Sequence, residues 1–178
     1  MLENTKFYWT LLLHRTRISG DIFLIFGVNK KGGMVEGCSK VVTTEKIDIV
    51  LPEADILYLA LPETPDTKNL INRKRLNLLK PSCGVVNIGR QSAIDYEALC
   101  EKLNNKELAG AILDVFTHEP IETSSKFWNI PNLVITPHVS SDDHGSYVKM
   151  TLDLFVKNLK LFISNKELVN QIDKDLGY

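Results

Sequence analysis

Short apolar runs that alternate with helical segments constrain the fold of this chain more than any other feature. The runs typical of strands are DIFLIFGV (21–28), VV (41–42), ILYLAL (56–61), CGVVNIG (83–89), LAGAILDVF (108–116) and LVITP (133–137). Helical patterns fall at 44–50, 71–80, 95–103 and 140–165. This alternation predicts an α/β fold with a doubly wound, mostly parallel sheet in three layers, whose continuously apolar strands are buried on both faces.

Three of the strand-like runs end in a loop that carries an ionisable side chain. They are VVNIGR (85–90), LDVFTHEP (113–120) and ITPH (135–138), which deliver Arg90, Glu119 and His138. In open α/β sheets, ligands bind outside the carboxyl ends of the strands. Reduction of a 2-oxo acid needs a fixed cation for the carboxylate, an acid that titrates near neutrality, and a carboxylate that orients that acid. Arg90, His138 and Glu119 can fill these roles in that order.

Each of these residues also has a simpler interpretation. A loop Arg is usually a solvated charge, a Glu before Pro is usually a turn residue, and an isolated His is more often structural than catalytic. His118 and His144 compete with His138 for the role of acid. His118 lies within a turn and His144 at the start of the last helical segment, so we favour His138.

Composition excludes several classes of function. A formal net charge of -1 gives no reason to expect nucleic acid as a partner, and no run reaches the ~18 apolar residues of a membrane span. The three cysteines lack metal-type spacing, and we predict no metal site and reduced thiols. We expect a cytoplasmic protein, with a weak mitochondrial presequence at the N-terminus as the alternative.

Five motifs make the chain similar to a known family over about 150 residues, from Gly27 to Tyr178. They are LPEADILYLALPETPDTKNLIN, LLKPSCGVVNIGR, LAGAILDVFTHEP, FWNIPNLVITPH and DKDLGY. Their order and spacing resemble the Rossmann-like nucleotide-binding domain of the D-isomer-specific 2-hydroxyacid dehydrogenases, especially the glyoxylate/hydroxypyruvate reductases. The resemblance implies hydride transfer between NAD(P)H and a small 2-oxo or 2-hydroxy acid, with Arg90 on the carboxylate, His138 as acid/base and Glu119 as its partner. It also implies a homodimer.

The resemblance further implies a set of cofactor contacts. Asp114 would face the nicotinamide carboxamide, and the loop 61–67 would lie along the adenosine. The cofactor-binding residues we predict are Asn29, Lys30, Lys31, Leu61, Pro62, Thr67, Ile88, Gly89, Asp114 and Ser140. An acidic residue after the second strand would hold the ribose of NAD, but this chain has Asn29 followed by two lysines, which predicts NADP(H) over NAD(H). A solvated turn is the alternative for the lysines.

Two departures from the family pattern affect these expectations. Gln91 stands where the family usually has Gly, and it could shift Arg90 if that Gly serves an unusual backbone conformation. The ten glycines nowhere form Gly-x-Gly-x-x-Gly, the loop that admits a pyrophosphate to a helix N-terminus.

We therefore predict an N-terminally truncated domain that lacks its first strand. Residues 1–20 would be a remnant of a crossover helix, roughly Phe7 to Ser19, and residues 21–178 a partial NAD(P)-binding domain. Turnover would be negligible. The alternatives are a non-catalytic nucleotide-binding or corepressor-like protein, and an inactive fragment.

The last helical segment carries one apolar stripe. Its members recur at spacings of three and four: Val148, Leu152, Phe155, Leu159 and Phe162. We predict that this stripe packs onto the sheet rather than forming a dimer helix.

Overall fold

The computed structural model describes residues 11–16, 23–140, 143 and 145–173. Seven strands are described: β1 (Leu11–Thr16), β2 (Phe23–Asn29), β3 (Lys40–Thr43), β4 (Ile56–Leu59), β5 (Gly84–Asn87), β6 (Gly110–Leu113) and β7 (Leu133–Ile135). The α-helices are α1 (Arg73–Leu76), α2 (Tyr96–Asn104) and α3 (Tyr147–Ile163), and short 3-10 turns span Thr44–Ile49, Leu51–Glu53, Gln91–Ala93 and Lys126–Asn129. The chain divides into two compact units, Met1–His138 and Val139–Tyr178. The predicted partial NAD(P)-binding domain at 21–178 stays a prediction.

All seven strands form one sheet in the order β3-β2-β1-β4-β5-β6-β7. β2 pairs with β3 in parallel, and β4 to β7 form a continuous parallel series. β1 is antiparallel to both of its neighbours. The predicted α/β class and mostly parallel sheet are confirmed.

The prediction of a helix at Phe7–Ser19, and of a sheet without its central strand, is wrong over the described residues 11–16. These residues form β1 and fill the position between β2 and β4. Six residues separate β1 from β2, which is too few for a parallel crossover but enough for an antiparallel connection. The strand supplies partners for backbone groups of β2 and β4 that would otherwise be unpaired. Residues 7–10 and 17–19 lie outside the described residues.

The core lies against one face of β4 to β7. On that face Leu57, Leu59, Val85, Ala111 and Leu113 are buried, and they join the inward side of α2 in a single apolar cluster. On the other face, Ile56, Ile112 and Val134 are exposed. The prediction of a sheet buried on both faces is therefore wrong for this part. Leu76 of α1 and Leu99 of α2 belong to this same cluster, as expected when successive parallel strands are joined by right-handed crossovers.

Two short polar caps fix the helices of the first unit. Asn72 accepts a hydrogen bond from the backbone N–H of Arg75 at the start of α1, and Asp95 accepts one from Ala98 at the start of α2. α1 is shorter than the predicted segment 71–80. α2 turns Tyr96, Leu99 and Leu103 into the core.

The second unit contains α3, a helix of 17 residues. All five residues of its predicted stripe are exposed, from Leu159 at 44% to Phe162 at 69%. The sheet belongs to the first unit, so the packing of this stripe onto the sheet stays a prediction. Within the described residues, no helix combines the length and apolar character needed to cross a bilayer.

Candidate active site

The carboxyl ends of β4 to β7 lie level with one another at one edge of the sheet. Leu59 pairs with Asn87, Asn87 with Leu113, and Leu113 with Ile135, so each strand ends at the same rung. The loops that follow β5, β6 and β7 therefore begin side by side. We call this edge the rim. It is where the sequence predicted that Arg90, Glu119 and His138 meet.

Glu119 and His138 are in direct contact at the rim. Glu119 Oε2 lies 2.8 Å from His138 Nδ1, and Glu119 Oε1 accepts a 2.7 Å hydrogen bond from the backbone N–H of Phe116. The hydrogen bond from His138, followed by that from Phe116, holds the pKa of Glu119 below its ordinary value. The carboxylate is thus an anion at neutral pH, with both oxygens engaged.

His138 itself has a left-handed backbone, with φ at 57°. Such a conformation is unfavourable for a non-glycine residue and is enriched at functional sites. It directs the imidazole toward the loop after β6, where Glu119 lies. Of the competing histidines, His118 is exposed in the same loop, and His144 lies outside the described residues.

Arg90 follows β5 by three residues and is exposed. Its Nη1 donates a 2.8 Å hydrogen bond to the carbonyl of Gly89. Gln91 begins a 3-10 turn and does not have a left-handed backbone, so the Gly of the family pattern is not needed here for conformational reasons. The side chain of Gln91 accepts a 3.0 Å hydrogen bond from the hydroxyl of Thr117. This bond joins the Arg90 loop to the Glu119 loop.

Three of the residues predicted to bind the cofactor also lie at the rim. Asp114 directly follows β6, is 2% exposed, and accepts a hydrogen bond from the hydroxyl of Thr136. Ile88 and Gly89 directly follow β5. A Cβ on Gly89 would lie 2.4 Å from the backbone nitrogen of Leu61, so only glycine lets these two loops approach so closely.

The predicted adenosine-side loop folds onto itself. The hydroxyl of Thr67 donates to the carbonyl of Pro62 at 2.7 Å and accepts from the backbone N–H of Thr64 at 2.9 Å. Thr67 is buried, so its polar atoms shape the loop. Glu63, Pro65 and Asp66 are the exposed residues of this loop, and Pro62 is half-buried. Ser140 belongs to the second unit, and its cofactor role stays a prediction.

The turn after β2 is organised by Asn29 rather than by charge. Asn29 is 2% exposed, and its side-chain oxygen accepts hydrogen bonds from the backbone N–H groups of Lys31 and Gly32 at 3.0 and 2.6 Å. Lys30 Nζ forms a 2.5 Å ion pair with Asp66 from the loop after β4, and Lys31 is exposed. Asn29 is therefore a turn-forming residue, and the two lysines are the cations of this turn.

The residues predicted for the two ends of a dinucleotide are both in place. Asp114, predicted for the nicotinamide, lies buried at the rim, and Lys30 and Lys31 are cations of the β2 turn. Because β1 is antiparallel, its carboxyl end lies at the sheet edge opposite the rim. The sequence also lacks the Gly-x-Gly-x-x-Gly loop that would follow a parallel first strand. In the described part of the chain, no cluster of His, Cys, Asp and Glu could hold a metal ion.

Sequence reasoning missed four residues that organise the rim. They are Asn87, Tyr96, Asp66 and Thr136. Asn87 carried a usable signal, because it is a polar residue at the end of the apolar run GVVN. Tyr96 gave none, because a tyrosine on the apolar face of a helix is usually a core residue.

Comparison with known proteins gives consistent results. Residues 24–140 match the family described as "D-isomer specific 2-hydroxyacid dehydrogenase, NAD binding domain". The chain is 42% identical over 104 residues to glyoxylate/hydroxypyruvate reductase B of Pectobacterium carotovorum, which covers 58% of this chain and 32% of that protein. It spans about half or less of the length of the curated relatives it matches.

Solved structures agree in fold. A D-isomer specific 2-hydroxyacid dehydrogenase of Xanthobacter autotrophicus, in complex with NADPH and MES, has a TM-score of 0.79 at 28% identity, over 86% of this chain and 62% of that one. An NADPH-dependent glyoxylate/hydroxypyruvate reductase of Sinorhizobium meliloti, in complex with NADP and sulfate, has a TM-score of 0.78 at 30% identity, over 86% and 49%.

Proposed function

Because the chain belongs to the D-isomer specific 2-hydroxyacid dehydrogenase family through its NAD-binding domain, we propose that its rim is the active site of an NAD(P)H-dependent reductase of small 2-oxo acids. The observation that carries the proposal is the 2.8 Å contact between Glu119 and His138 beside the Arg90 loop. Substrates in the class of glyoxylate and hydroxypyruvate have the carboxylate and the adjacent carbonyl that these groups would recognise.

Each rim residue has one chemical task in this reaction. Arg90 binds the substrate carboxylate through its planar, permanently charged guanidinium. Glu119 occupies Nδ1 of His138, which leaves Nε2 as the atom that delivers a proton to the carbonyl oxygen. Through the same contact, Glu119 holds the imidazole in one orientation. A reduced nicotinamide, when bound, supplies the hydride to the substrate's carbonyl carbon.

The cofactor we propose is NADP(H), with NAD(H) second. Lys30 and Lys31 place two cations at the β2 turn, where a 2′-phosphate is favoured and no acidic residue stands at the Asn29 position. Asp66 moderates this preference, because its carboxylate already pairs with Lys30 and would repel a phosphate.

A second candidate is a non-catalytic nucleotide-binding protein. The antiparallel β1 and the missing glycine loop favour it, because both weaken the hold on a pyrophosphate. For the same reason we expect low turnover by the 178-residue chain, so binding measurements are more informative than rates.

The test is a titration of the chain with NADPH, followed by oxamate, a 2-oxo acid analogue that is not reduced. We expect oxamate to bind the NADPH complex, and Arg90→Gln to weaken it at least tenfold through loss of a charged bidentate contact. Arg73→Gln, on a surface arginine of α1 that pairs with Glu101, is the matched control. NADPH binding without Arg90-dependent oxamate binding would favour the second candidate. Failure to bind either compound would contradict both.

A further inference from the structure

Tyr96 has no part in the chemistry proposed above, yet its hydroxyl lies between the segments that carry Arg90 and Glu119. It is the first residue of α2 and is 5% exposed. Its hydroxyl accepts a 3.1 Å hydrogen bond from Nδ2 of Asn87 and donates a 2.8 Å hydrogen bond to the carbonyl of Val115. A phenol has one proton to donate, so the direction of both bonds is fixed.

On one side, the Tyr96 hydroxyl is connected to the Arg90 turn through Asn87. Asn87 Nδ2 also donates a hydrogen bond to the carbonyl of Arg90, with 3.1 Å between nitrogen and oxygen. Asn87 Oδ1 accepts one from the backbone N–H of Gly89, also at 3.1 Å. A flipped amide would set its oxygen against the Arg90 carbonyl, so only one orientation satisfies all three bonds. Asn87 is fully buried, which makes an unpaired group there costly.

On the other side, Tyr96 contacts the segment that leads to Glu119. The carbonyl that accepts the hydrogen bond from Tyr96 belongs to Val115. The next residue is Phe116, whose backbone N–H donates a hydrogen bond to the Glu119 carboxylate. The Tyr96 ring also meets the rings of Phe116 and Phe127 edge-on, at centroid distances of 5.8 and 5.9 Å. One buried side chain is therefore bonded to both segments.

We propose that Tyr96 is a positioning residue, whose hydroxyl sets the Arg90 turn at a fixed distance from the Glu119 segment. The inference rests on the proposed function of those two residues. Burial raises the pKa of Tyr96, which keeps its proton in place at any physiological pH. The Gln91–Thr117 bond joins the same loops at the exposed surface, where water competes for both partners. The buried bonds of Tyr96 to Asn87 and Val115 therefore restrict the relative movement of the two loops more than the Gln91–Thr117 bond does.

The test is amide hydrogen exchange on the full chain with Tyr96→Phe, which removes the hydroxyl and keeps the ring. The reporters are the amides of Gly89 and Phe116, one on each segment. We expect both to exchange about tenfold faster, while amides within β4 and β5 are unchanged. Tyr58→Phe, on the opposite face of β4, is the matched control and leaves both reporters unchanged.

A second variant tests the two sides separately and does not depend on the folding of the first. Asn87→Ala should accelerate exchange at Gly89 and leave Phe116 protected, because the bond from Tyr96 to Val115 persists. Unchanged exchange at both reporters in Tyr96→Phe, or equal acceleration of both in Asn87→Ala, would overturn the proposal.

Ligand titration separates this inference from the proposed function. If both hold, Tyr96→Phe weakens oxamate binding severalfold and leaves NADPH binding unchanged, a selectivity that a general loss of packing would not produce. If exchange changes as expected in Tyr96→Phe, but Arg90→Gln binds oxamate as tightly as the parent chain does, then the coupling of the two segments stands and the reductase proposal fails. If oxamate binding depends on Arg90 but is unaffected in Tyr96→Phe, the positioning role is refuted.

Discussion

Replacement of Glu119 by Gln tests the central contact of the rim with little change in shape. Glu119 accepts two hydrogen bonds, one from His138 Nδ1 at 2.8 Å and one from the backbone N–H of Phe116 at 2.7 Å. The variant keeps one acceptor oxygen but removes the charge. Buried hydrogen bonds to charged groups contribute about 1.5–3 kcal/mol each. Here the side chains are 34% and 46% exposed, so we reduce the expected loss to about 0.5–1 kcal/mol in total.

The same substitution has a predictable dependence on pH. The pKa of Glu119 in the folded protein is below its ordinary value of 4.5, so its charged form stabilises the folded state. That contribution is complete above about pH 4.5 and is lost as the pH falls through the lower pKa of the folded protein. The difference in stability between parent and variant should therefore be largest near neutrality and should shrink below about pH 4.5.

Urea unfolding of both proteins between about pH 3 and pH 7 measures this difference. Glu122→Gln is the control, because Glu122 is an exposed carboxylate on the same loop whose bond is to Ser124. We expect the Glu122→Gln substitution to lower the free energy of unfolding at neutral pH by less than Glu119→Gln does. A Glu119→Gln difference that is the same at all pH values, or that matches the control, would show that the contact with His138 contributes nothing to the fold.

Two further predictions concern the neighbouring loops. Asp66→Asn should strengthen NADPH binding about two- to fivefold and leave NADH binding nearly unchanged, because the substitution removes the ion pair between Asp66 and Lys30. Fluorescence titration measures the binding of both cofactors. Equal effects on the two would refute a 2′-phosphate site at this turn. Gly89→Ala should lower the free energy of unfolding by about 2 kcal/mol or more, because its Cβ would overlap the backbone of Leu61. Gly84→Ala, where a Cβ meets nothing within 4 Å, should change it by less than about 0.5 kcal/mol in the same urea titration.

The sequence carried enough information to predict the parallel part of the sheet and the pairing of Glu119 with His138. Apolar runs located β4 to β7, and parallel strands necessarily end at a common edge, so side chains just past their ends meet. That rule brings the loops of Glu119 and His138 to the same edge, and the chemistry of the proposed reaction pairs the carboxylate with the imidazole, as the structure shows. Arg90 is joined to the pair through Gln91 and Thr117, which no local pattern indicated.

Strand direction and long-range polar contacts could not be predicted. The segment 11–16 is apolar at its start and basic at its end, which suits a helix as well as a strand. The segment forms a strand because β2 and β4 each need a hydrogen-bonding partner on that side, and those strands lie elsewhere in the sequence. Likewise, the role of Asn87 depends on a tyrosine nine residues later, and that of Lys30 on an aspartate 36 residues later.

The short strand β7 has a consequence for how the contact between Glu119 and His138 is assembled. β7 is aligned with β6 over three rungs, which pair Leu133 with Ala111, Val134 with Ile112, and Ile135 with Leu113. A slide of one residue would move the backbone of His138 by about 3.3 Å along the strand, and with the Glu119 loop in place this would take the imidazole beyond hydrogen-bond distance of the carboxylate. The contact between those two side chains can thus form in a single alignment of the strands, and its presence in solution would report that the sheet has been assembled without error.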